Sequence, residues 1–173
     1  DQSARMDAPL AVRFACLCHD LGKGTTPADV LPRHIGHEQR SEKLTRDLCT
    51  RLRIPLECKE LAELVAREHG NIHQSLEFGA EAVLRLLMRC DALRRPERFL
   101  LALQACACDA RGRLGKEDEI YRQEPRLAQL LKAAQSVDSA SISAQALKEG
   151  LKGAAIGMRI DKAREAAIAR ALV

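Results

Sequence analysis

Residues 8–24 read APLAVRFACLCHDLGKG, and the reading of this stretch decides the fold. Up to Cys18 its only charged residue after Ala8 is Arg13, so the segment reads as a buried helix. At its inner end come an imidazole and a carboxylate, His19 and Asp20, followed at once by Leu21-Gly22-Lys23-Gly24. Taking such a pair out of water is costly unless a partner compensates. A divalent cation is the natural partner, because neutral imidazole nitrogen and carboxylate oxygen both ligate one directly. A second anomaly lies far downstream: between Phe99 and Ala110 the only polar residues are Gln104 and Asp109. Two buried helices that each carry an ionisable group predict one shared metal site.

The rest of the composition agrees with helix-on-helix packing. The chain has 173 residues, enough for one domain with a full core and a small appendage. Hydrophobic residues make up 46% but aromatics only 2%, so the core is built from Leu, Ala, Val and Ile. Net charge is +4, which permits contact with phosphate without demanding it. No apolar run approaches the roughly 18–20 residues of a membrane span, and no basic-then-apolar leader is present. The chain opens at Asp1-Gln2-Ser3, so a piece of a longer protein is expected. The 7 Cys include no C-x-x-C pair, and the two C-x-C pairs fall in expected helices with their members pointing apart. They read as reduced, buried thiols, not as a zinc or redox site, and so favour a reducing cytoplasm.

The periodicity is helical throughout and predicts an all-α fold. Helices are expected over 8–19, 37–52, 57–69, 80–93, 97–111 and 126–135. The Gly- and Pro-rich stretch 22–33 reads as a loop, the Ile54-Pro55 step ends the second helix, and Gly70-Asn71 ends the third. Pro125 opens the sixth at a first helical position. Together, 1–135 forms one helical domain, the Ser-rich 136–143 a hinge, and 144–173 a small basic helical tail around Gly150, Gly153 and Gly157.

Further candidates gather around the doublet. His37 opens a helix in the string RHIGHE, His69 closes one as Glu68-His69-Gly70, and Asp109 lies within the fifth. Any one of these reads as a satisfied core residue; the ordered set His-Asp, His, His, Asp is more specific. Gly22 lets the chain turn sharply, so that Lys23 swings over the metal towards an anionic oxygen. His34 is a candidate general acid or phosphate contact. His73, placed just past a helix end, reads as structural, since the pair with His69 lacks the H-E-x-x-H character of a zinc protease.

The strings HDLGKG and GHE, the EH at a helix end and Asp109 resemble the HD superfamily of metal-dependent phosphohydrolases. LCHDLGKGTTP, RHIGHE, CDARGRLG and GLKGAAIG narrow the resemblance to the carboxy-terminal region of bacterial CCA-adding enzymes (tRNA nucleotidyltransferases), over essentially the whole chain. The resemblance implies an HD-type helical bundle appended to an upstream nucleotidyltransferase domain. It implies a phosphohydrolase with 2′,3′-cyclic phosphodiesterase, 2′-nucleotidase and phosphatase activities, dependent on nickel or magnesium. Carried over by position, His19, Asp20 and Asp109 are the metal ligands, with His37 and His69 serving a second metal or the substrate phosphate. The family pattern begins with a further His upstream of the doublet, and no His precedes His19 here; the nucleotidyltransferase carboxylate motif is absent too. A stretch lying downstream of both would not add nucleotides, and its metal site would be one ligand short.

The expected chemistry is phosphoester hydrolysis on 2′,3′-cyclic or 2′-phosphorylated nucleotides. The cation acidifies a water, Asp20 takes a proton, and Lys23 or His34 offsets charge on the equatorial oxygens. Arg111, Arg113, Lys148, Lys152 and Arg159 are candidate tRNA contacts, to backbone and shape, because no aromatics are interleaved for base stacking. The alternatives are a non-catalytic tRNA-binding helical scaffold with a structural or vestigial metal site, and a stand-alone HD nucleotidase or signalling hydrolase.

Overall fold

A computed structural model describes residues 2–172, so Asp1 and Val173, the outer ends of the expected domain and tail, lie outside it. Among the described residues there is no strand, and the architecture is all-α as the periodicity requires. In chain order the helices are α1 (Gln2–Arg5), α2 (Leu10–Cys18), α3 (His37–Leu52), α4 (Leu56–Gln74), α5 (Ala80–Arg89), α6 (Pro96–Arg111), α7 (Gln123–Gln135), α8 (Ser139–Lys148) and α9 (Ala154–Ala171). Tight single-turn helices at Leu21–Thr25 and Ser75–Glu77 follow α2 and α4.

The core is organised around α4, which packs against α2, α3 and α6, while α7 ties α6 to α9. Leu61, Val65 and Ile72 of α4 meet Phe99, Leu103 and Cys106 of α6 in one continuous apolar cluster. Burial of such side chains is the dominant favourable term, about 1.5–3 kcal/mol each. None of the 7 cysteines is bridged, and 6 of them are buried, as small hydrophobes would be. Among the described residues no helix is long and apolar enough to cross a membrane.

Several expectations need correction. The apolar run before the doublet is not buried all round: Val12, Ala15 and Cys18 face inward, but Leu10 and Leu17 are 69% and 73% exposed. A short helix laid on the outside of a bundle buries one stripe only. Helix α4 does not stop at Gly70 but continues to Gln74. An interior Gly costs a helix only about 1 kcal/mol, and the packed neighbours of α4 outweigh it. Helix α5 ends at Arg89, short of the expected 93, and the turn that follows holds Asp91 at φ 53. Helix α7 starts at Gln123, with Pro125 in its first turn, where no intrahelical donor is needed.

The expected hinge is mostly helix. Asp138 accepts from the Ser141 backbone N–H at 2.9 Å and caps α8, leaving only 136–138 as the break. Beyond it, α9 is one helix that includes Gly157 and packs on α5 and α7, burying Ala167 and Ile168. The basic tail therefore lies on the bundle, with its apolar stripe inward.

Candidate metal centre

Helix α2 ends so that His19 and Asp20 project from the bundle beside the inner faces of α3, α4 and α6. Gly22 secures this, though not by a sharp turn. A Cβ at Gly22 would stand 2.3 Å from the His37 carbonyl oxygen and 2.6 Å from the Ser41 nitrogen, so only Gly lets the Leu21–Thr25 turn lie directly on α3. The Gly22 N–H donates to Ser41 Oγ at 2.9 Å and locks the approach. Gly36, at φ 73, occupies the left-handed region that Gly tolerates and starts α3 at His37.

Three imidazoles are set in one orientation. Each donates its Nδ1–H to a backbone carbonyl about one turn back: His19 to Cys16 at 2.8 Å, His37 to His34 at 2.9 Å, and His69 to Val65 at 3.0 Å. This leaves Nε2 as the lone-pair nitrogen, and all three Nε2 atoms converge. His19 Nε2 lies 3.3 Å from Asp20 Oδ2 and 3.4 Å from Asp109 Oδ1. Asp20 Oδ1 lies 3.3 Å from His37 Nε2 and 3.6 Å from His69 Nε2. His37 and His69 bring their Nε2 atoms within 3.2 Å of each other, and two lone pairs that close repel unless a proton or cation sits with them. His19, Asp20 and His69 offer ligand atoms within 4.8 Å of one another.

The residues fit a cation. His19 Nε2 and Asp20 Oδ1 are buried and have no hydrogen-bond partner. Buried polar atoms left unpaired are rare, because each costs about 1–3 kcal/mol. Atoms held about 2.0–2.2 Å from one ion stand about 2.8–3.6 Å apart at tetrahedral or octahedral edges, the range of the gaps here.

The electrostatics agree. Burial pushes the His19 imidazole down, but Asp109 and Asp20 beside it more than offset that and carry it up to about 10. Burial raises the two carboxyls, yet His19 with Lys23 for Asp20, and His19 with His73 for Asp109, hold both well below the usual carboxylate range. His69 is lowered, first by burial and then by the charge on His19. The carboxylates of Asp20 and Asp109 thus favour positive charge at His19 Nε2, which is where a bound cation would supply it.

Of the expected residues, His19, Asp20, His37, His69 and Asp109 are brought together. Lys23 does not swing free: its Nζ donates to Asp20 Oδ2 at 2.6 Å. The His34 ring bonds Thr26 Oγ1 at 2.7 Å, and only its carbonyl touches the cluster, through His37. Arg113 lines both a 610 Å³ cavity with His19 and Asp109 and a 380 Å³ cavity with His73 and Tyr121. Arg111 donates to the Glu119 carbonyl at 3.0 Å, and Arg159 pairs with Glu149, whereas Lys148 and Lys152 are exposed. Sequence reasoning missed His73 and Tyr121. Because α4 runs through Gly70, His73 stands one turn beyond His69 and its Nε2 reaches Asp109 Oδ2 at 2.9 Å. Tyr121, whose hydroxyl burial pushes well up, donates to His73 Nδ1 at 2.8 Å. The i, i+4 spacing of the two histidines was the available signal.

A family model described as HD domain matches residues 3–140. The chain belongs to the HD domain family. It is 63% identical over 168 residues to the multifunctional CCA protein of Polaromonas naphthalenivorans (strain CJ2), covering 97% of this chain and 40% of that protein. The multifunctional CCA protein of Paracidovorax citrulli (strain AAC00-1) is 62% identical over 168 residues, again with 97% and 40% covered. That of Leptothrix cholodnii (strain ATCC 51168 / LMG 8142 / SP-6) is 57% identical over 169 residues, with 98% and 40% covered. The chain spans about two fifths of the length of these curated relatives. No solved structure matches.

Proposed function

We propose that this chain is the metal-dependent phosphohydrolase region of a tRNA CCA-adding protein, acting on 2′,3′-cyclic and 2′-phosphate esters. The observation that carries the reading is the pair of buried, unpartnered atoms, His19 Nε2 and Asp20 Oδ1, within a converging set of imidazoles and carboxylates. His19, Asp20 and Asp109 would hold the cation, and His37 and His69 would serve a second position or the substrate phosphate. A set this rich in imidazole favours nickel over magnesium, which prefers all-oxygen coordination. When bound, such an ion would supply Lewis acidity towards a phosphoryl oxygen and lower the pKa of a coordinated water.

The chain's own residues do the rest. Asp20 is 32% exposed on its side chain, so the site opens on its side. There Lys23, bound to Asp20, meets the phosphoryl oxygens and offsets their growing charge. Asp20 takes a proton from the attacking water. His34, on the loop before α3, is a phosphate contact once a substrate draws its ring from Thr26. Arg113 lines cavities beside the site, and with Arg111, Lys148, Lys152 and Arg159 it is assigned to contacts with the tRNA backbone, with binding that weakens steeply in salt. An upstream nucleotidyltransferase domain is the partner within the parent protein, in a reducing cytoplasm that suits the unbridged thiols.

The test is hydrolysis of 2′,3′-cyclic AMP with nickel, with magnesium and with chelator. Metal-dependent turnover that disappears in Asp20→Ala, with helicity retained, supports the reading. Turnover that survives chelation or that substitution overturns it, and tRNA binding with no turnover assigns the chain to a scaffold instead.

A further inference from the structure

We infer that His73 and Tyr121 are positioning residues for Asp109, a relay that turns one carboxylate oxygen to the cation by occupying the other. The inference rests on the metal-site reading above. Asp109 stands in the last turn of α6, where the aligned backbone carbonyls disfavour a negative charge. Its two oxygens meet different partners. Oδ2 receives a well-formed hydrogen bond from His73 Nε2 at 2.9 Å, whereas Oδ1 lies 3.4 Å from His19 Nε2, beyond good hydrogen-bond length. One oxygen is committed and the other is left for a ligand bond.

The direction of the relay follows from what each group can do. A carboxylate only accepts, so His73 Nε2 carries the proton. In the neutral ring Nδ1 is then the acceptor, and the Tyr121 hydroxyl supplies its hydrogen at 2.8 Å. Tyr121 is only 7% exposed, and the Gln123 side chain donates to the His73 carbonyl at 2.9 Å, so the start of α7 is fastened to the end of α4. His69 and His73 share a helix face but are wired oppositely. His69 spends its Nδ1–H on the backbone and presents a lone pair, while His73 presents a proton. With the tautomer reversed, a lone pair would face the carboxylate and Asp109 would turn away from the ion.

The test is nickel titration by calorimetry of this chain and its Tyr121→Phe, His73→Ala and His73→Gln variants. Thermal melts in chelator and ¹⁵N NMR of the His73 ring accompany it. Nickel binding weakens several-fold in Tyr121→Phe and about 10–100-fold in His73→Ala. The Gln amide still donates to Oδ2, so His73→Gln recovers most of that loss. The His73 proton sits on Nε2, and Tyr121→Phe leaves Nδ1 without its donor, so nickel affinity falls while the metal-free melt of that variant stays close to the parent; a purely structural role predicts the opposite pattern. Equal nickel affinity in Tyr121→Phe and His73→Gln, or a proton on Nδ1 in the parent, overturns the relay while leaving the metal site standing. Absence of divalent binding in the parent overturns both. If His73→Ala does not fold, the other two variants decide.

Discussion

Glu68 and His69 are chain neighbours, both buried on α4, yet they belong to opposite kinds of cluster. Glu68 is saturated. Arg89 Nε reaches both of its oxygens at 3.1 Å, Arg67 Nε donates at 3.2 Å, and the Asn71 amide donates to Oε2 at 2.9 Å. His69 points into a cluster where His19 Nε2 and Asp20 Oδ1 have no partner and two imidazole lone pairs face each other. Ser75 Oγ, Arg98 Nε and Arg164 Nε are also buried without a partner, but each stands alone, whereas His19 Nε2 and Asp20 Oδ1 lie among converging imidazoles and carboxylates, the arrangement that suits a ligand. One helix carries both kinds of cluster, a residue apart.

Breaking the open cluster gives the largest effect. On the proposed function, Asp20→Ala removes a metal ligand and the group that takes the water's proton, so hydrolysis falls at least about a hundredfold. Melts in chelator lose only what the Asp20 pairs with His19 and Lys23 contribute. Steady-state assays on 2′,3′-cyclic nucleotides check the first and circular dichroism the second. Breaking the saturated cluster reverses the pattern. Glu68→Ala leaves two arginines facing a void, but both reach solvent, so the cost is about 2–3 kcal/mol instead of the larger penalty of a stranded buried charge. Urea unfolding measures it, and nickel affinity per folded molecule shifts far less than in Asp20→Ala.

The pH dependence sharpens the contrast. His19 is raised from 6.5 to about 10, so the stability it contributes without metal is complete below about pH 6.5 and is lost as pH climbs towards 10. Asp20 and Asp109 are lowered from 3.8, so theirs is present above about pH 3.8 and is lost on further acidification. The metal-free protein is therefore most stable between these limits. If His19 ligates nickel as proposed, binding displaces its proton, so affinity rises up to about tenfold per pH unit below about 10 and the alkaline loss shrinks in its presence. Melting curves with chelator and with nickel across pH test both signs. The smallest effect marks the baseline: Arg85→Ala breaks an exposed pair with Glu81 and costs under about 0.5 kcal/mol in the same urea assay.

The helical class and the span of α3 were legible in the chain, and the sequence also singled out His19, Asp20, His37, His69 and Asp109, which the fold brings within a few ångströms of one another. Period and residue chemistry are local properties, and a charged doublet closing an apolar run stands out against them. The exposed side of α2 was not legible, because nothing local says which stripe of an all-apolar helix finds a neighbour. Nor was the helix through Ser139, where one cap by Asp138 overrides a Ser-rich composition.

His73 shows the division most clearly. Its type and its spacing from His69 stand in the sequence, which by itself determined that two imidazoles would share a face if the helix went on. Only the tertiary structure decided that it does. The contacts of α4 with α2, α3 and α6 outweigh the local penalty at Gly70, and that sum runs over residues distant in the chain. The same holds for the distances that make a site of these side chains: 3.4 Å between His19 and Asp109 comes from helices packed together, not from anything written between them.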